Sequence, residues 1–461
     1  MMTVDELLDR FKNECPVAMG TRLMLNHLLS DERMDTLFAT HAGSQRCGEL
    51  LFSSVADIMA CVALNIKPSV NAAYKKHKEK LKVSVTSVYN KLQGIETQVS
   101  RVLVSETAAE LSQLWDHLEG PKPPPVLSGY KTRIIDGNHL AGTEHRIKEL
   151  RTLGAAALPG TTIPILDPDK KLLVDVILSR DGHANEATLH PEILELVEKG
   201  EVWIGDRHFA SQKMMTTIAL DKKAFFVFRH SKGLLPNWES QGERRRIGRC
   251  DGGTIYEQKI AFTYQGRAIC PRRVTIELDT PTRKGDTAVH VLTNLPSRVS
   301  AKSVANAYRK RWNIETAFQH LATTLNSEIN TLGYPQAALF SFCMSMMMYN
   351  LISVMKTSIG CAAGDADLAD EVSSYYAAND VSESWKGFMT AVTEKEFDSV
   401  YGKLTLKQLA KELVDVARKL DFSQYRKSHR GPKKPPPKRK SGNRGNHEST
   451  ARILDQRAPK C

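Results

Sequence analysis

The chain has 461 residues, 41% apolar and 25% charged, a composition that excludes a disulfide miniprotein, a disordered chain and a fibrous repeat and leaves room for two to four domains. Its formal net charge of +12 sits mostly at one end, because residues 426–461 hold twelve Lys or Arg against two acids and the remainder is close to neutral. A basic pI is therefore weak evidence that the body of the chain binds a polyanion.

Residues 1–118 read as short helices, with apolar positions recurring at three and four in RLMLNHLL, VADIMACVAL and ETAAELSQLWDHL. The opening MMTVDELLDRFKNECP carries acids and no apolar core, so no secretory signal is expected. Eight cysteines with no C-x-x-C pair encode neither a zinc ribbon nor a disulfide framework, and a reducing cytoplasm is the expected location. Asn71–Leu81 and Ser84–Leu92 have the spacing of a helix-turn-helix. Ser84 caps the second helix, Val85, Val88 and Leu92 face inward, and Thr86, Ser87, Asn90 and Lys91 face outward. A DNA-reading element and a plain helical bundle both fit this pattern. Residues 119–129, with Glu-Gly-Pro-Lys-Pro-Pro-Pro, break any helix and read as a linker.

After the linker the period changes. KTRIID, Thr162–Leu166 and LLVDVILSR are strands, HPEILELVEKG is a helix ended by Gly200, and VWIG is a fourth strand running into Asp206. This is the order of a mixed sheet with an acid at the end of its first and fourth strands. From about 216 to 300 the pattern is strand-rich and basic, including a loop, Gln241–Arg249, suited to a phosphate backbone. Helical spacing resumes from Ala301 through Leu321, so the strand block reads as an insertion within a domain spanning 130–355.

The apolar run Ala337–Met355 places Ser341, Ser345, Tyr349 and Ser353 on one helix face and is interrupted by Asn350, which points to a core helix and not a membrane span. Residues 356–425 read as a helical C-terminal region, and 426–461 as a basic, disordered tail with charge but no aromatic residue for base stacking.

An acid after a buried apolar strand is costly unless it meets a cation or caps the next turn, and both outcomes are open for Asp136 and Asp206. Tyr308, Arg311 and Glu315 lie at offsets of three and seven, which puts a phenol, a guanidinium and a carboxylate on one helix face. The same pattern also suits a salt-bridged surface helix.

Asp136 in DGNHLAGTEHRIKELR, Asp206 in WIGDRHFA and Glu315 in YRKRWNIETAFQ resemble the three catalytic acids of the DDE transposases of bacterial insertion sequences. The likeness is to the insertion sequence four family, with its Tyr-x2-Arg-x3-Glu-x6-Lys signature, and covers roughly residues 125–355. It implies an α/β, ribonuclease-H-like mixed sheet with a β-rich insertion, flanked by helical N- and C-terminal regions. It implies that Asp136, Asp206 and Glu315 hold two Mg²⁺ ions, with Mn²⁺ able to substitute, and that Tyr308 and Arg311 contact DNA phosphates. The implied activity is binding of terminal inverted repeats in double-stranded DNA, metal-dependent cleavage, and joining of 3′ ends to target DNA by a homodimer at the synapse, with no membrane involved. The rivals are an inactive DNA-binding descendant of a transposase and a stand-alone nuclease of the same fold.

The sequence departs from the family pattern at two places. Ala322 stands where the signature lysine belongs, leaving Arg309 or Lys310 to supply a phosphate contact. The stretch AVHVLTNLP lacks the Trp that family members can use to stack a flipped base during hairpin formation, leaving His290 or Trp238 as substitutes.

Overall fold

A computed structural model of the chain describes residues 2–43, 48–144, 147–152, 156–230, 233–282, 285–428 and 448–456. Residues up to 118 form helices α1 (Val4–Glu14), α2 (Pro16–Leu28), α3 (Asp31–His41), α4 (Phe52–Ala63), α5 (Val70–Leu81), α6 (Val85–Gly94) and α7 (Thr97–His117). Local chemistry starts several of them. Thr3 and Glu6 form a capping box on α1, and Ser69 and Ser84 cap α5 and α6. On α7, Val99, Leu103, Val104, Leu111 and Leu114 recur at helical spacing and are buried.

Past the proline-rich segment come β1 (Thr132–Ile135), β2 (Asn138–His139), β3 (Ala157–Leu158), β4 (Thr161–Asp167), β5 (Leu172–Ser179), α8 (His190–Leu196), β6 (Val202–Gly205), α9 (Gln212–Thr216) and β7 (Phe225–Arg229). Five of these strands lie side by side in the order β5-β4-β1-β6-β7. β4 is antiparallel to β5 and β1, whereas β1, β6 and β7 are parallel to one another. Parallel strands need both faces covered, and every residue of β1 and β6 is buried.

The inserted strands are β8 (Glu239–Ser240), β9 (Arg245–Cys250), β10 (Gly253–Tyr264), β11 (Arg267–Ile269), β12 (Arg272–Leu278) and β13 (Ala288–Thr293). They continue the same sheet, because β13 pairs with β7 and β12 with β13. The insertion starts later than the expected boundary near 216: Phe225–Arg229 pairs parallel to β6 and belongs with the first five strands. A short β-branched and aromatic run has the same period on either side of that boundary, so pattern alone could not place it. The expected basic loop 241–249 is largely the strand β9. Arg244 and Arg249 pair with Glu277 and Asp279 at 2.5 and 2.7 Å, while Arg245 and Arg246 stay exposed.

The helical pattern from Ala301 to Leu321 is two helices, α10 (Ala301–Arg309) and α11 (Trp312–Thr323), broken at Lys310 and Arg311. α12 (Pro335–Ala363) is long and apolar enough to cross a membrane, but 94% of its most apolar window is buried inside the protein. Its interrupting Asn350 donates to the Leu173 carbonyl at 2.9 Å and accepts from the Leu173 N–H at 2.8 Å, satisfying a buried backbone position of β5.

α13 (Leu368–Glu371), α14 (Ser374–Ala391), α15 (Glu394–Tyr401) and α16 (Leu406–Ala417) close the helical layer. α12 packs on α7, α4 and α16, and α16 packs in turn on α2 and α7. One hydrophobic core therefore runs through the N-terminal helices, one face of the sheet and the C-terminal helices. Arg22 on α2 donates to the carbonyls of Val392 and Thr393, with its guanidinium over the rings of Phe388 and Phe397. Arg101 on α7 makes a two-point ion pair with Asp175 of β5, at 2.9 and 3.0 Å.

Most of the tail, residues 429–447 and 457–461, lies outside the described residues. Its far part differs from the expected disorder. β14 (Glu448–Ser449) pairs parallel with β3, and α17 (Thr450–Asp455) sets Ile453 and Leu454 on Ile147, Leu150 and Ala157. Arg452 also bridges Asp181 at 2.7 Å. Two apolar residues in a basic segment are too short a signal for periodicity to register.

Candidate active site

Register brings the two strand-end acids together. Ile134 of β1 is level with Ile204 of β6 in a parallel pair, so Asp136 and Asp206, each two residues further on, emerge side by side at the same end of the sheet. Asp206 also caps the turn that follows it, accepting from the His208 N–H at 2.7 Å. The absence of a side chain on Gly205 lets the Phe209 ring tuck beneath this turn. Glu315 arrives from the first turn of α11, and Arg311 stands at the break just before it.

Arg311 joins two of the acids, Asp136 and Glu315. Its Nη1 donates to Asp136 Oδ2 at 2.7 Å and its Nη2 to Glu315 Oε1 at 2.6 Å, with only 8% of the residue exposed. Lys310 and Arg311 keep right-handed helical backbone between the two helices, and Arg311 interacts with Tyr308 on one side and Glu315 on the other, so the three groups remain together. Tyr308 is buried beside Arg311; burial pushes its phenol pKa up, and the guanidinium works against that rise.

Burial raises the Asp136 carboxyl to about 7. Arg311 opposes the shift, and the negative charges of Asp206, Glu315 and Glu186 add to it. Burial likewise works against the charge of Arg311, but Tyr308, Asp136 and Glu315 outweigh it and move the guanidinium pKa upward.

Glu186 has no motif in the sequence to mark it. It begins the 3-10 turn Glu186–Leu189 between β5 and α8. A Cβ added to Gly137, the residue after Asp136, would overlap Glu186 Oε1. Its Oε2 is enclosed without a hydrogen-bond partner among the described residues, and burial, then Asp206, raise its pKa.

The donors that meet here are carboxylate oxygens, the type a hard divalent cation takes. Among the described residues no three His, Cys, Asp or Glu are already gathered in a metal-holding arrangement, and a guanidinium stands between Asp136 and Glu315.

The other candidates lie elsewhere. On α6, Val88 and Leu92 are buried, Thr86 and Asn90 are exposed, and Ser87 is tied into the Ser84 cap. Lys91 lies over the Phe38 ring at 4.1 Å instead of pointing freely outward. His230, just after β7, stands edge-on to both Trp238, just before β8, and His290 of β13, and Arg273 sits 5.1 Å from the Trp238 ring. Ala322 is exposed on α11, Arg309 pairs with Asp251 at 3.3 Å, and Lys310 is exposed at the helix break.

No curated protein matches the chain. Residues 128–351, the segment that holds Asp136, Asp206, Glu186, Arg311 and Glu315, match the family model described as the transposase DDE domain. By that similarity the segment that builds this site supports a DDE transposase.

Proposed function

We propose that the protein binds the terminal inverted repeats of an insertion sequence, cuts the DNA there and joins the 3′ ends to target DNA. The observation that carries this reading is the placing of Asp136 and Asp206 at neighbouring strand ends, with Arg311 joining Asp136 to Glu315, within the matched segment. The strand order β5-β4-β1-β6-β7, with only β1, β6 and β7 parallel, supports a ribonuclease-H-like core. The spacing of Tyr308, Arg311 and Glu315 favours the insertion sequence four family, with Ala322 as its departure.

Asp136, Asp206 and Glu315 would hold divalent cations, Mg²⁺ or Mn²⁺. Such ions, when bound, activate a water or 3′-hydroxyl and stabilise the leaving oxygen. The protein's own part is to supply negative oxygens from rigid strand ends and one helix. Arg311 holds Asp136 and Glu315 near each other while their charges would otherwise drive them apart. On a DNA substrate its guanidinium fork suits phosphate oxygens, and the adjacent Tyr308 phenol suits one more. Thr86 and Asn90 are the exposed groups of α6 best able to meet a groove, and a homodimer would pair two ends.

Asp136→Asn, Asp206→Asn and Glu315→Gln should each lower cleavage of labelled DNA carrying the repeats that flank the coding sequence by at least about a hundredfold. Gel-shift affinity for that DNA should change little. Near-normal cutting by one variant removes that residue from the site.

A further inference from the structure

Arg311 neutralises the acid cluster unevenly. It takes Asp136 and Glu315, whereas among the described residues Asp206 has a backbone N–H on one oxygen and His208 Nε2 at 4.0 Å from the other. Glu186 stands on this side: its turn packs on the Arg207–Phe209 turn that follows Asp206, and its carboxylate lies against Gly137, the residue after Asp136. It has no ion pair among the described residues, and its turn is already capped by the Asn185 side chain, which accepts from the Ala187 N–H at 3.0 Å. A carboxylate oxygen enclosed without a donor is unfavourable unless a cation or a bound water completes it. Gly137 is what permits the approach, since any Cβ there would displace the Glu186 carboxylate.

We propose that Glu186 is a fourth carboxylate of the acid site, held against Gly137 to face the divalent cation on the Asp206 side that Arg311 does not reach. The inference rests on reading Asp136, Asp206 and Glu315 as a cation site. Mg²⁺ and Mn²⁺ keep several waters beside one or two direct carboxylates, so a further negative oxygen raises affinity by direct ligation or by accepting from a bound water.

The test is Mn²⁺ binding to the full chain without DNA, followed by titration calorimetry, with metal-free melting as the check on folding. Glu186→Gln should weaken Mn²⁺ binding by about tenfold or more at an unchanged melting temperature. Gly137→Ala, which leaves the glutamate in place but displaces its carboxylate, should weaken it in the same direction. Glu186→Gln binding within about twofold of the unsubstituted protein, while Asp206→Asn loses Mn²⁺, overturns the role of Glu186 and leaves the three-acid reading standing. Equal Mn²⁺ binding by the unsubstituted protein and Asp206→Asn overturns the three-acid reading, and the role of Glu186 with it.

Discussion

Asp136 is a functional candidate that the fold holds at a cost. Its carboxyl is raised to about 7 in the folded chain against 3.8 for an ordinary aspartate, so the folded form binds the proton more tightly. The stability this contributes is full below about pH 4 and is lost as pH rises through about 7. Asp136→Asn should therefore melt higher than the unsubstituted protein at pH 8 in a chelator, by about 2–5 °C, with the gap closing toward pH 4. Melting curves across that range check it, and a gap that widens at low pH contradicts it. Asp136, Asp206 and Glu315 became candidates in the sequence through their resemblance to the DDE motifs, because a strand-end acid or an Arg–Glu pair alone suits a turn cap or a surface salt bridge equally well. Glu186 was not legible, since a single glutamate in a polar turn has no periodicity and only the fold brings it against Gly137.

Among the elements, α12 shows how one polar residue fixes a long apolar helix. Asn350 meets both backbone groups of Leu173, so Asn350→Leu would leave a buried N–H and carbonyl unpaired. Unfolding in urea should show a loss of about 2–4 kcal/mol, and a loss under about 0.5 kcal/mol would mean that water replaces the amide. The sequence marked α12 as a core helix by its serine face and its asparagine, but the strand that Asn350 meets is not a local property. The split between α10 and α11 was likewise hidden. Lys310 and Arg311 are good helix formers, so local propensity gives no sign of the break there.

Across the whole molecule, the proline-rich segment separates two stretches of sequence without separating their cores. The apolar faces of α2, α4 and α7 are covered by α12 and α16, and Asn65 and Asn326 tie the end of α4 to the end of α11, the helix that carries Glu315. A fragment of residues 1–118 should therefore lack a cooperative melt by circular dichroism, whereas the full chain should show one. A sharp transition in the fragment would restore the independent domain that the linker suggested. A change of hydrophobic period and a run of prolines identify where the chain changes structure, but burial between distant helices decides whether the parts stand alone.

Joining of DNA ends separates the proposed transposase from a nuclease of the same fold. The decisive measurement incubates the protein and Mg²⁺ with a supercoiled plasmid and a labelled duplex whose exposed 3′-hydroxyl ends in the repeat that flanks the coding sequence. Label covalently joined to the plasmid by the unsubstituted protein, and none with Glu315→Gln, is the predicted result. Joining at an undiminished level by Glu315→Gln, or hydrolysis without any joining by the unsubstituted protein, would contradict it.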